Sequence, residues 1–170
     1  SIAIFTQRHL HGPMIIKALK EGKHVYSAVP IGCTIEEIKE ILELVKQTRQ
    51  IYMMGETCYY YPCAMYCREQ YEKGNFGKFV YGESQYYHDI CEMYNDFKRS
   101  GGDTWQRAAG IPPMFYPTPS ISMIFSAIHE HAVKVSCMGL RDNHEDNIYG
   151  EGKNDWDNPF SNETALFQMS

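Results

Sequence analysis

Up to Gly55 the chain alternates short apolar runs with longer segments whose apolar residues recur every three or four positions. Ile2 to Phe5 is a four-residue apolar run, the pattern of a buried parallel strand. The segment after it carries His11-Gly12-Pro13 ahead of Met14, Ile15, Ile16, Ala18 and Leu19. Proline suits a helix first turn, and Gly22 stands where such a helix stops. His24 to Ser27 reads as a second strand. Thr34-Ile35-Glu36-Glu37 then has the spacing of a capping box, in which the threonine and the glutamate each satisfy a main-chain N–H of the first turn. In the helix it opens, Ile35, Ile38, Ile41, Leu42 and Val45 form the apolar face, and Glu36, Lys39, Glu40 and Glu43 the wet one. Ile51 to Met54 is a third strand. Strands and helices that alternate with such short connections predict parallel strands joined by right-handed crossovers.

Beyond Gly55 the texture changes. Pro62 opens a helix through Tyr71 that Gly74 ends, and Lys78 to Asp89 runs long and aromatic with partial alternation, as in a broad sheet. Ser120 to Glu130 reads as a helix, and Val133 to Leu140 and Thr164 to Met169 as strands. Arg141 to Asn162, rich in Asn, Asp and Gly, reads as a long loop of a length that more often serves a site than a fold.

Composition narrows the function classes. Sixteen basic and 21 acidic residues give a net charge of −5, with Lys and Arg scattered, so no footprint for nucleic acid is present. No apolar run approaches a membrane span, and no leader pattern precedes Ile2, which points to a cytoplasmic protein with no membrane partner. Six cysteines never form a C-x-x-C pair and read as reduced thiols. Cys63 and Cys67 share a helix face, and His9/His11 and His129/His131 are near pairs, but packed helices account for them and no metal is expected.

The stretch Ala18-Leu19-Lys20-Glu21-Gly22-Lys23-His24-Val25-Tyr26-Ser27-Ala28-Val29-Pro30 resembles a signature of the Gfo/Idh/MocA (glucose-fructose oxidoreductase / inositol dehydrogenase) family, which reads glycine-lysine-histidine-valine and then glutamate-lysine-proline. Thr6 and His11 match residues that the family places after the preceding strand. Glu56-Thr57-Cys58-Tyr59-Tyr60, Glu72 to Gly77, Tyr86-Tyr87-His88-Asp89 and Tyr116-Pro117-Thr118 continue the resemblance, most closely to the branch of NAD-dependent α-N-acetylgalactosaminidase-like proteins.

The resemblance implies an α/β part followed by an α+β part. Residues 1–61 would be the C-terminal part of a Rossmann-like dinucleotide-binding domain, and residues 62–170 an incomplete domain with a large, mostly antiparallel sheet. The chain would be an internal piece of a longer protein. It implies NAD or NADP as cofactor, a carbohydrate or cyclitol as partner, and a homo-oligomer formed through the large sheet. Carried over position by position, Thr6, His11, Ala28, Val29, Pro30 and Glu56 would bind the cofactor. Tyr86 and His88 would be catalytic, and Tyr60, Asp89, Tyr116 and Trp156 would bind substrate.

The reaction expected is NAD(P)-dependent oxidation of a sugar or cyclitol. The alternatives are glycoside cleavage through transient oxidation at C3, and a sugar-binding protein that has lost catalysis. Two departures bear on the choice. Ala28 and Val29 replace the residues before Pro30, and Pro119 stands where the branch has histidine, so neither position offers a titratable group. No G-x-G-x-x-G lies in these residues, so the pyrophosphate has no evident cradle and the cofactor should bind this chain poorly.

The residues also have plainer readings. His11 near a helix start could cap or pack, and the many tyrosines from Tyr59 to Tyr87 could pack a sheet rather than stack on a sugar. His88-Asp89 could be a site pair or a strand terminus, Glu56 could reach a ribose or merely solvate a strand end, and Asp155 to Asn158 could be solvated turns.

Overall fold

A computed structural model describes residues 1–170, which form two compact units: Ser1–Gly55 with Tyr94–Ala109, and Glu56–Met93 with Gly110–Ser170. In the first unit β1 (Ile2–Ile4), β2 (Val25–Ser27) and β3 (Tyr52–Met54) form a parallel sheet in that order, with Ile2 opposite Val25 and Val25 opposite Tyr52. The helices α1 (His11–Lys20) and α2 (Ile35–Thr48) are the crossovers between them. The parallel arrangement expected from the alternating pattern is therefore present.

The core of this unit is Ile4, Ile15, Ala18, Leu19, Val25 and Ile41, with Ile16, Ile31, Leu44, Val45 and Tyr52 packed against it. The register puts Ile4, Val25 and Tyr52 on the face that the two helices cover. This corrects the reading of Ile2 to Phe5 as a fully buried strand: Phe5 and Met53 lie on the opposite, exposed face, and Ile2, although on the helix side, is exposed at the first position of β1. Two successive right-handed crossovers place both helices on one side of a sheet, so a continuous apolar run need not be covered on both faces.

The ends of these elements follow their local chemistry. Gly22 takes φ +66°, a conformation that a side chain disfavours, just past the end of α1. Thr34 accepts a hydrogen bond from Glu37 N, and Glu37 Oε2 accepts from the main-chain N–H groups of both Thr34 and Cys33, which completes the capping box. A Cβ at Gly12 would lie 2.6 Å from Glu37 Oε2, so that glycine leaves room for the carboxylate.

Sequence reasoning did not anticipate α4 (Ile90–Gly101) and α5 (Trp105–Ala109). Ile90, Met93, Tyr94 and Phe97 have the spacing of one helix face, Asp89 Oδ1 accepts from Cys91 N at its start, and Tyr94 and Phe97 meet the buried Trp105. His88-Asp89 is thus a helix start and not a strand terminus.

In the second unit, α3 (Pro62–Glu72) packs on α6 (Thr118–Ile128), and α6 meets a two-stranded antiparallel sheet of β4 (Ala132–Arg141) and β5 (Phe160–Met169). Phe125 of α6 meets Phe167 of β5 edge-to-face at 5.8 Å, and Glu163 of β5 accepts from Met114 N at 2.6 Å. The α/β-then-α+β order matches the expected class, the antiparallel sheet here having two strands. Lys78 to Asp89 forms no strand. Its contacts run to α6 instead, through Ser84 Oγ to Ser120 O and the approach of Ile124 to Gly82, and alternation without a neighbouring strand builds no ladder. The loop from 142 to 159 is folded, not merely solvated: Ile148, Tyr149, Asn154 and Asn158 are buried, and Phe160 to Asn162 belong to β5.

Removing the capping threonine tests the helix account. Thr34→Ala is expected to cost about 1 kcal/mol, a fall in melting temperature of roughly 2–4 °C for a chain of this size, measured by circular dichroism. An unchanged melt would show that the cap contributes nothing.

Candidate functional site

Within the first unit, the sequence-derived cofactor residues gather at the carboxyl ends of the parallel strands, where ligands of such sheets sit. Thr6 follows β1, Ala28 to Pro30 follow β2, and His11 opens α1. The His11 ring is 1% exposed, with Nδ1 2.8 Å from Pro30 O and Nε2 3.1 Å from Thr6 O. His11 therefore ties both loops to the helix start, and both nitrogens face the main chain. The Val29–Pro30 peptide is cis. Thr6 Oγ1 is exposed, and its longer contacts are to Gln7 O and Met14 Sδ.

Below these loops Ser27 is fully buried and its hydroxyl meets Tyr52 Oη at 2.8 Å; burial pushes the Tyr52 phenol up, and this hydrogen bond opposes the shift. Cys33 is pushed up to about 11, first by burial and then by the Glu37 carboxylate, with Arg8 acting the other way. It is a neutral thiol at physiological pH and not a nucleophile.

The second unit opens on Glu56, a carboxylate only 6% exposed. Oε1 accepts from Cys58 N at 2.9 Å, whereas Oε2 is buried with no hydrogen-bond partner. An ordered structure leaves few such atoms, and each calls for a donor that arrives from elsewhere. Cys58, 1% exposed, stands against Glu56 and Tyr61. Burial chiefly raises its thiol; the neighbouring Tyr61 opposes this, and Glu56 adds to it. The Tyr61 phenol is raised in turn, first by the neighbouring Cys58.

Tyr86 stands at the centre of another aromatic group. Its ring meets His88 edge-to-face at 4.8 Å and Tyr116 at 6.3 Å, so three residues expected at the substrate stand together. Tyr60 is exposed and packs against Tyr59 at 4.9 Å. Asp89 spends Oδ1 on the start of α4. The main-chain N–H of Trp156 donates to Asn154 Oδ1 in the folded loop. Pro119, where histidine is expected, is fully buried in the first turn of α6, a place that suits proline because its missing N–H is not needed there.

Two groupings escaped sequence reasoning. Arg68 lies 3.9 Å over the Tyr59 ring and donates to Tyr59 O and Ser126 Oγ, which locks the turn after Glu56 to α3 and α6. Asn154 donates to Ile148 O and Asn158 O, and Asn158 donates to Gly110 O, so two buried amides hold the loop closed. The available signal was the repeated asparagine that accepts from the N–H two residues on, at Trp156 and Phe160. No group of three His, Cys, Asp or Glu residues is arranged to hold a metal, and no helix is long and apolar enough to cross a membrane.

Residues 1–56 match the model of the Gfo/Idh/MocA oxidoreductase family, described as an NAD-binding Rossmann fold. Two curated proteins of Bacteroides fragilis, a glycosyl hydrolase family 109 protein and an alpha-N-acetylgalactosaminidase, are each 30% identical over 134 residues, which is 76% of this chain and 32% of the relative. The chain thus spans about a third of their length. The apo scyllo-inositol dehydrogenase of Lactobacillus casei superposes over 100% of this chain and 46% of its own with a TM-score of 0.70 at 20% identity. The same enzyme with bound NAD(H) and scyllo-inositol gives 0.64. These structures share the fold.

Two outcomes follow from the strand-end geometry. His11→Ala strands the carbonyls of Thr6 and Pro30 and is expected to destabilise the chain by about 2–4 kcal/mol in a urea titration; a cost below about 0.5 kcal/mol would refute the tie. For Cys33 the folded value of about 11 lies above the ordinary thiol value of 9.0. Its contribution to stability is therefore fully present below pH 9 and lost as pH rises toward 11. Melting curves across that window should fall less steeply for Cys33→Ser than for the parent, and parallel curves would contradict the assignment.

Proposed function

Because this chain belongs to the Gfo/Idh/MocA oxidoreductase family, we propose that its protein uses NAD or NADP to oxidise a hydroxyl of a sugar or cyclitol. The observation that carries this reading is the family match over residues 1–56, whose strand ends present Thr6, His11 and Ala28 to Pro30 and lead into Glu56. The donor that Glu56 Oε2 lacks is of the kind a ribose or sugar hydroxyl supplies, so the residues fit a dinucleotide. Thr6, Ala28, Val29, Pro30 and Glu56 would hold the cofactor, with His11 fixing the two loops. When bound, the nicotinamide supplies the hydride acceptor. Tyr86 and His88 would hold or move the proton of the reacting hydroxyl, and Tyr60, Asp89, Tyr116 and Trp156 would line the sugar. A homo-oligomer formed through the antiparallel sheet belongs to the same reading, as does a cytoplasmic location.

A second reading has its own support. Curated relatives at 30% identity are glycosidases of this family, and the glycosidase branch that the chain resembles accepts valine before the proline, as at Val29. Glycoside cleavage would use the same residues and return the hydride, leaving no net reduced cofactor.

The tests separate cofactor binding from chemistry. Saturation-transfer NMR with NAD+ should show stronger transfer to nicotinamide than to adenine protons, since no glycine-rich cradle lies in the sequence, and Glu56→Gln should weaken it. Transfer to neither end would count against the reading. With a panel of inositols, free sugars and N-acetylgalactosaminides, lasting NADH marks net oxidation, and free sugar without NADH marks glycoside cleavage. In either case Tyr86→Phe is expected to lower kcat by about 100- to 10,000-fold; an unchanged kcat would remove Tyr86 from the chemistry.

A further inference from the structure

Tyr26 stands mid-strand in β2, paired with Ala3 of β1 and Met53 of β3, so its side chain leaves the sheet on the face opposite the two crossover helices. From there it reaches toward the carboxyl ends of the strands. A Cβ on Gly55, two residues beyond Met53, would lie 2.3 Å from Tyr26 Oη, 2.6 Å from its Cζ and 3.1 Å from Ser27 O. Any side chain at position 55 would therefore push the ring away. The backbone at Gly55 has no need of glycine, since its φ is not positive and its N–H continues the ladder by donating to Ser27 O at 2.8 Å. A glycine that extends a strand in this way marks a close approach, and the group that approaches is the phenol.

The phenol is open at its outer end. Tyr26 Oη makes no hydrogen bond within the chain and is not one of the buried polar atoms that lack a partner, so it reaches the surface. Its ring packs on Phe5 at 5.7 Å with 46° between the planes, and Phe5, just past β1, is 69% exposed. The two rings and the bare glycine thus stand at the same strand ends as Thr6 and Ala28 to Pro30.

We infer that Tyr26 is a further cofactor-binding residue, its hydroxyl bonding the carboxamide of the nicotinamide, with Gly55 kept free of a side chain to let it reach. This rests on the dinucleotide reading of the strand ends. The chemistry matches, because a phenol both donates and accepts, as a carboxamide does, and the exposed Phe5 ring offers an apolar flank to a flat heterocycle. A hydroxyl left open where the ligands of such sheets sit is satisfied by water in the free chain and by the ligand when bound.

The test needs no turnover. The whole chain is labelled with 13C at tyrosine Cζ, and the Tyr26 resonance is identified by its loss in Tyr26→Phe. Nicotinamide mononucleotide, which carries the carboxamide and no adenine, should shift that resonance, and scyllo-inositol should not. Tyr26→Phe keeps the ring and its packing on Phe5, so its melting temperature should be that of the parent. Saturation-transfer titrations should give it about 3- to 10-fold weaker binding of the mononucleotide, the loss of one neutral hydrogen bond. Gly55→Ala should weaken binding at least as much, and the double variant no further than Gly55→Ala alone, because both act through one hydroxyl. Unchanged affinity in Tyr26→Phe overturns the assignment, as does a Tyr26 resonance that the mononucleotide leaves in place or that only scyllo-inositol moves. The dinucleotide reading survives such a result provided the nicotinamide protons still receive transfer from the parent chain. If they receive none, that reading falls, and the role of Tyr26 with it.

Discussion

The arrangement at the strand ends depends on one buried ring. Loops that follow parallel strands vary in sequence and conformation, because nothing in the ladder fixes them beyond the last pair. Here His11 meets the carbonyls of Thr6 and Pro30 from the first turn of α1, so the loops after β1 and β2 are both tied to one rigid element. The ladder itself extends toward the same place, with Ala28 N donating to Ile4 O and Gly55 N to Ser27 O. Whichever nitrogen carries the proton, at least one N–H···O=C bond closes in a site without water access. The residue types at positions 6 and 28 to 30 can therefore vary while their backbone positions stay fixed, which is how valine comes to occupy position 29 without disturbing the sheet.

What could be read from the chain was whatever local chemistry dictates. The capping box at Thr34, the proline in the first turn of α1 and the glycine after it, and Pro62 ahead of α3 each place an element end within a few residues. Three elements depended on longer-range facts. Lys78 to Asp89 has strand alternation, yet a strand exists only beside another strand, and its nearest support is the backbone of α6. The α4 pattern was masked because Ile90 follows an aromatic stretch and its N-cap, Asp89, also belongs to a Tyr-Tyr-His-Asp motif with a catalytic reading. One residue can serve a helix start and a site motif, and sequence alone does not rank them. The exposure of Phe5 and Met53 likewise reflects which face the crossovers cover, a property of handedness and not of composition.

The site was legible as a set of residues but only in part as an arrangement. Tyr86, His88 and Tyr116, separated by up to 30 positions, do come together. Asp89 and Trp156, drawn from equally suggestive motifs, carry local duties in a helix cap and an asparagine-braced loop. The difference is local: a short carboxylate beside a helix start is claimed by the nearest N–H, and the main chain at Trp156 is claimed by Asn154 two residues before it.

The two expected acid/base positions show how such a loss is absorbed. At position 119 the proline fills a fully buried place in the first turn of α6, where its fixed φ is already that of a helix. A titratable group there would lie away from solvent and need a partner that the turn does not offer, so the substitution favours packing over proton transfer. The chain then has few places left for a proton. Among the groups around Tyr86, His88 is engaged edge-to-face by the tyrosine ring, while Glu56 retains a buried oxygen that nothing satisfies. An unsatisfied carboxylate oxygen destabilises the fold by about 1–3 kcal/mol, and it persists beside a thiol and a phenol that both remain protonated. Such a buried, unpartnered oxygen is satisfied only by a donor that arrives from elsewhere.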